Sequence, residues 1–178
     1  MSWEGAFLLW VQESVRCDGL DSALTAFTHL GDSGLLFIVI AIGLLCFPAT
    51  RRAGCVALTA LAIGALCTNV VLKHLIARPR PWLDVAGLLP LIEEGDPNSF
   101  PSGHTCAAFS FCAAMLRTLP VRWGKVLALC GAVLMGASRM YVGVHYPTDV
   151  LAGMAVGLLA GFLACLIWDH FAPEKAEP

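Results

Sequence analysis

Five apolar stretches, at 33–50, 53–72, 103–116, 124–138 and 150–168, constrain this chain more than any other feature. Hydrocarbon offers no hydrogen-bond partners, so a chain that enters it folds as helices or as a closed barrel. The stretches are continuous rather than alternating, and they are long, so they predict helices. A span needs about 20 apolar residues, with about 17 as the lower limit. The third and fourth stretches are short by that measure, so their helices must take in polar residues at one end. The expectation is an all-α, polytopic membrane helix bundle with five or six membrane helices, forming a single domain over 1–178.

Composition agrees. The chain is 58% hydrophobic and 13% charged, whereas a soluble domain carries about a quarter charged residues. No basic stripe interleaved with aromatics lies on a polar surface, which excludes a nucleic-acid partner. The eight cysteines include no CxxC pair, and all but Cys17 fall in apolar segments. They read as small buried hydrophobes rather than a disulfide framework. Glu4 stands where a cleaved signal peptide would carry basic residues, so no such signal is expected.

Residues 1–30 predict amphipathic N-terminal helices. Trp3, Phe7, Leu8, Val11 and Val15 share a helical stripe, with Glu4, Glu13 and Arg16 elsewhere. A second short helix is expected from Asp21 to Leu30, and 171–178 forms a polar tail. The small-residue run GMAVGLLAG at 153–161 suits helix contacts, but nothing sets an oligomeric state.

Basic loops stay cytoplasmic. Arg51 and Arg52 follow the first stretch, Arg117, Arg122 and Lys125 the third, and Lys175 the fifth. Five spans put all of them on one face. The acidic N-terminal region then lies on the other face, with the loops after Lys73 and Arg139. The polar connection 82–100 also lies there, as a surface loop able to cover a site.

Three polar clusters share that outer face. In KHLIARPRP, Lys73 and Arg80 flank a helix that Pro79 and Pro81 should end. Arginine suits bidentate phosphate contact, and lysine acts as a point charge. Arg78 reads as an interfacial anchor whose charged head reaches water. Next, Pro101-Ser102-Gly103-His104 opens the third apolar helix. Free N–H groups there, with a glycine permitting close approach, form an anion cradle, and Ser102 can cap the helix or donate to the anion. Finally, Ser138 and Arg139 end the fourth helix, and His145 and Asp149 bracket the start of the fifth. A carboxylate four residues after a histidine can hold one ring nitrogen and free the other for attack or proton transfer. Together these groups form an anion site with two proton-transfer histidines. No HExxH, cysteine ligand set or paired carboxylates call for a metal or other cofactor.

In order and spacing the clusters resemble the type 2 phosphatidic acid phosphatase superfamily, which also includes bacterial acid phosphatases and vanadium haloperoxidases. Its three-part signature is matched by Lys73 through Arg80-Pro81, Pro101 through His104, and Ser138-Arg139 through His145 and Asp149. The resemblance implies His145 as a nucleophile forming a phosphohistidine, oriented by Asp149. It implies His104 as the proton donor to the leaving oxygen. Lys73, Arg80, Ser102, Gly103 and Arg139 would bind the phosphoryl group. It also implies a lipid phosphate or diphosphate substrate, undecaprenyl diphosphate foremost, at the outer face of a bacterial cytoplasmic membrane. Phosphatidylglycerophosphate and phosphatidic acid are competing substrates. A non-catalytic lipid-phosphate binding or transport protein is the alternative of a different class. Vanadate-dependent peroxide chemistry fits the membrane architecture poorly.

Overall fold

The computed structural model describes residues 2–172, and the expected polar tail, with Lys175, lies largely outside the described residues. Among them, nine α-helices and no strand are found. Helix α1 (Trp3–Ser14) starts at Ser2, whose hydroxyl accepts from the Gly5 amide at 3.2 Å. Helix α2 (Asp18–Leu30) meets a 3₁₀ turn at Asp32–Gly34 and then α3 (Leu35–Leu45). Ser33 (φ 53°) and Gly34 (φ 70°) take left-handed backbone here, and the two helical parts are bent by 46°.

Helix α4 (Arg51–Ala65) continues through a π-helical stretch, Leu66–Leu72, into α5 (Lys73–Ile76). π-Helical turns inside α-helices are frequent at functional sites, and this one leads directly to Lys73. Ala77 then reverses the backbone (φ 47°), and Pro79 forbids continuation. A short α6 (Pro81–Asp84) precedes the long connection to α7 (Gly103–Thr118), α8 (Arg122–Tyr141) and α9 (Pro147–Phe171).

Helix α7 is the hub, packed against α4, α8 and α9. Small residues permit this closeness. A Cβ on Gly157 would lie 2.5 Å from the Cys106 carbonyl oxygen, and one on Gly153 would lie 2.5 Å from that of Ser102. The small-residue run thus packs α9 onto α7 within the chain, with Gly153, Gly157 and Gly161 spaced by one helical turn. Ala53, Ala57, Ala60, Ala108 and Ala114 line the rest of this close-packed core.

The outside of the bundle is apolar. Leu35, Val39, Val70, Leu127, Leu159 and Phe162 are all exposed. Such a belt suits lipid and not water. By length and composition two helical runs qualify as spans among the described residues, Arg51–Ile76 and Pro147–Phe171, or three if the bent pair Asp18–Leu45 counts as one. Helix α7 has 16 residues and α8 has 20 with Arg122, Lys125 and Arg139 along it. At about 1.5 Å per residue, α7 covers less than the roughly 30 Å hydrocarbon core.

Three expectations need correction. Cys46 and Cys130 are exposed on the apolar outside rather than buried, and Cys17 is exposed as well. All eight cysteines are free thiols. Glu4 is buried, although it reads from sequence as a solvent-facing charge. The 82–100 connection is also more than a surface loop. Val85, Leu88 and Ile92 are buried against α1 and the α8–α9 turn, and Arg16, just after α1, donates to the Leu89 and Tyr141 carbonyls.

Candidate active site

The three clusters converge at one end of the bundle. Lys73 opens α5 in the last turn of the long α4–α5 run, Gly103 and His104 open α7, Arg139 lies in the last turn of α8, and Asp149 lies in the first turn of α9. Arg52 and Arg117 share Asp169 at the opposite end, at 2.6 and 2.9 Å.

Arg80 is 1% exposed and Arg139 is fully buried. Buried cations require partners, and both find the same one. Arg139 pairs with Glu94, and Arg80 lies 3.4 Å from the other Glu94 oxygen. Arg139 also donates to Thr28 Oγ1 at 2.7 Å. Arg80 donates to the Asp96 and Val144 carbonyls at 2.9 and 3.1 Å and stands 3.1 Å from His145 Nε2. Lys73 Nζ pairs with Asp96 at 2.7 Å. The expected anion-binding cations therefore surround two carboxylates from the 82–100 connection, expected from sequence as a cover but not as ligands. Burial pushes the Glu94 carboxyl up, yet Arg139 and Arg80 outweigh it and hold it below the ordinary carboxylate range. Asp96 is likewise lowered, since burial is outweighed by Lys73 and the Asn98 amide.

His145 sits in the turn before α9, nearly fully buried. Burial, then the charges of Arg139 and Arg80, drive its pKa well below that of free imidazole. It is therefore neutral near pH 7, with an unprotonated nitrogen available. Among the described residues its Nδ1 has no hydrogen-bond partner. The expected acceptor, Asp149, is 3.6 Å away, too far for a hydrogen bond. Asp149 Oδ2 instead accepts from the Tyr146 amide at 2.9 Å, and Oδ1 accepts from Arg78 at 2.8 Å.

Arg78 is thus no interfacial anchor. It bridges Asp149 and Glu4, contacts Thr148 Oγ1 at 2.7 Å and stacks over the Tyr146 ring at 3.8 Å. Glu4 also accepts from Thr148, at 3.1 Å from the amide and 2.7 Å from the hydroxyl. The desolvated partner of a planar guanidinium explains why Glu4 is buried.

Ser102 is buried and caps α7. Its hydroxyl accepts from Thr105 Oγ1 at 2.9 Å and the Thr105 amide at 3.4 Å, and its own amide donates to the Asp149 carbonyl at 3.0 Å. Gly103 lines a cavity of about 540 Å³ that also includes Lys73, Arg80, His104 and His145. The other wall of this cavity is apolar, with Ile38, Leu58, Leu61 and Ala107. Among the described residues, no group of three or more His, Cys, Asp or Glu side chains is placed to hold a metal ion.

The family model for the PAP2 superfamily matches residues 53–172, a range that holds every signature position. The chain belongs to the PAP2 superfamily. It is 34% identical over 134 residues to a Sulfolobus acidocaldarius protein named undecaprenyl-diphosphatase, covering 75% of this chain and 64% of that protein. It is 36% identical over 161 residues to the Bacillus subtilis phosphatidylglycerophosphatase B, covering 84% of this chain and 75% of that one. The crystal structure of a transmembrane PAP2-type phosphatidylglycerolphosphate phosphatase from Bacillus subtilis aligns with a TM-score of 0.78 at 31% identity, over 98% of this chain and 87% of that one. The PAP2 fold of this chain is thus a membrane-embedded helix bundle. Glu4 falls outside the matched range, and a signature search has no means of finding it.

Proposed function

We propose that this PAP2 protein is a membrane lipid phosphatase that removes the terminal phosphate of an isoprenoid diphosphate, with undecaprenyl diphosphate the foremost substrate. One observation carries the reading. Lys73, Arg80 and the two histidines meet at the polar end of a cavity whose other wall is apolar. A lipid phosphate has that same division between head and tail.

In the proposed reaction the phosphoryl group takes the place held by the Glu94 carboxylate. Arg80, Arg139 and Lys73 neutralise its oxygens, with the Gly103 amide at the start of α7. Ser102 supports this cradle by fixing the helix start. His145 Nε2 forms the bond to phosphorus as the bond to the leaving oxygen breaks, and His104 gives that oxygen a proton. Water then attacks phosphorus, gives its proton to His104 and releases inorganic phosphate from His145. Asp149 steadies the imidazolium that His145 becomes. Its present 3.6 Å separation is of the kind that tightens once substrate is bound. The cations supply the charge stabilisation that phosphoryl transfer requires.

The basic end of the bundle, with Arg51, Arg52, Arg117, Arg122 and Lys125, would face the cytoplasm. The site would then open on the outer face of a bacterial cytoplasmic membrane. The test is phosphate release by detergent-purified protein in EDTA, with undecaprenyl diphosphate, phosphatidylglycerophosphate and phosphatidic acid side by side. EDTA-resistant turnover, fastest on the diphosphate, is expected. Faster turnover of phosphatidylglycerophosphate would transfer the assignment to that lipid. Binding without turnover on any of them would make the protein a lipid-phosphate binder.

Glu94 yields a separate prediction. Its carboxylate competes with any anion for Arg80 and Arg139. Charge-assisted hydrogen bonds are worth about 1.5–3 kcal/mol each. Glu94→Gln should therefore tighten inhibition by inorganic phosphate or orthovanadate by about tenfold or more. Unchanged inhibition would remove Glu94 from the cradle.

A further inference from the structure

His104 carries the proton in the reaction proposed above, and its own environment determines which nitrogen does so. His104 Nε2 lies 2.9 Å from Asp32 Oδ1, and the second Asp32 oxygen lies 2.9 Å from His29 Nδ1. Asp32 comes from the bend between α2 and α3, where Ser33 and Gly34 adopt left-handed backbone. That bend brings the carboxylate to the start of α7 across a sequence separation of 72 residues. Gly31 keeps the approach open, since a Cβ there would lie 3.0 Å from His104 Cδ2 and 2.6 Å from Met135 Cε.

We propose that Asp32 is a positioning residue for His104, holding its Nε2–H and leaving Nδ1 as the nitrogen that exchanges the proton with the leaving oxygen and with water. The inference rests on the phosphatase reading. An ionised carboxylate only accepts. Nε2 must therefore carry hydrogen whenever this bond exists, and the neutral ring offers its lone pair at Nδ1. Protonation then occurs at Nδ1, and the Asp32 charge favours the imidazolium formed. The same logic orients histidines by carboxylates in acid–base sites generally. The charged and titratable side chains that share the cavity with His104 are Lys73, Arg80, Glu94, Cys106 and His145. Among the described residues none of them forms a hydrogen bond to His104, and Asp32 is the side chain that bonds its ring.

The balance of the step is simple. In the first half, Nδ1–H gives its proton to the oxygen whose bond to phosphorus breaks. In the second half, Nδ1 takes a proton from the attacking water, and His104 returns to its starting state.

The test is a double-mutant cycle on the full chain, with the lipid that wild type turns over fastest. Asp32→Asn should lower kcat by about ten- to hundredfold, within the range of general acid–base contributions, with KM and orthovanadate affinity unchanged. In a His104→Asn background the same substitution should lower kcat no further. Losses that multiply across the two substitutions would overturn the proposal and make Asp32 a structural residue of the bend. Histidine ¹⁵N shifts provide a readout independent of turnover, with the His104 signals assigned by their disappearance in His104→Asn. Neutral His104 should show the Nε2–H tautomer in wild type, with loss of that preference in Asp32→Ala. A Nδ1–H tautomer in wild type would overturn the proposal even in a protein that hydrolysed no lipid. Absence of wild-type turnover, in contrast, would count against the phosphatase reading alone.

Discussion

His145→Ala should lower lipid phosphate hydrolysis by about four orders of magnitude or more, the scale reached when a covalent nucleophile is removed. The substitution deletes the atom that bonds to phosphorus and leaves the cradle in place. Arg80 loses a neighbour at 3.1 Å but keeps the Val144 and Asp96 carbonyls and Glu94. The unpartnered Nδ1 makes no hydrogen bond whose loss would disturb the fold. Orthovanadate or inorganic phosphate should therefore bind the variant within a few-fold of wild type. Wild type quenched during turnover of a terminally labelled lipid should carry acid-labile label on His145, and the variant none. Retention of more than a few per cent of activity in the variant would sink the phosphohistidine route. Loss of anion binding along with activity would point to a folding defect, which thermal unfolding in the same detergent would reveal.

Arg139→Ala should act on both rate and stability. Arg139 is fully buried and pairs with Glu94 and Thr28. Removing one donor aimed at transition-state charge lowers kcat by about a hundred- to a thousandfold. Removing one partner of a buried ion pair costs about 3–5 kcal/mol, because the remaining charge stays desolvated. Here Glu94 keeps Arg80 at 3.4 Å, so the lower end of that range is expected. The two effects separate in the double variant Arg139→Ala with Glu94→Gln. Neutralising the carboxyl should recover most of the stability and none of the turnover. Recovery of turnover with stability would mean that Arg139 holds the loop and does not serve the phosphoryl group. Arg139→Lys should rescue little, since a point charge cannot reproduce two-pronged contact with Thr28 and Glu94.

The carboxylates explain how such a cationic pocket exists without substrate. Three cations near one another repel and are partly or wholly desolvated. Glu94 and Asp96 supply the opposite charge, and in the proposed reaction a phosphoryl group would take the place of Glu94. The 82–100 connection can reach the site because Pro79 pairs with Asn98 across a short bridge, and Ser99 bonds the backbone of Arg78 and Pro79.

Arg78 shows where sequence reading falls short. It lies two residues from a signature arginine at the end of an apolar helix, where a long cation commonly reaches water. Its partners, Glu4, Thr148 and Asp149, lie 70 or more residues away along the chain. No local pattern links these positions. The same holds for Asp32 and Thr28, which the bend before α3 delivers to the site. The spacing of small residues in 153–161 was visible, but a face suited to helix contact does not name its partner. The structure places that face against α7.

The sequence by itself determined the all-helical membrane class, because continuous apolar runs can satisfy their backbone in hydrocarbon only as helices. It also nominated the candidate site, since Lys73, Arg80, His104, Arg139, His145 and Asp149 keep fixed spacings at helix ends. Each of those signals is local, set by 3.6-residue periodicity, by proline and by the free N–H groups of a helix start. Only the tertiary structure decided what those residues face. Glu94 between two arginines, Arg78 on Asp149 and Asp32 on His104 are contacts between distant segments. The first two form because buried charges must be paired once the helices close around them, the third because the bend before α3 carries Asp32 to the start of α7, and the choice of partner depends on packing that no single stretch of sequence encodes.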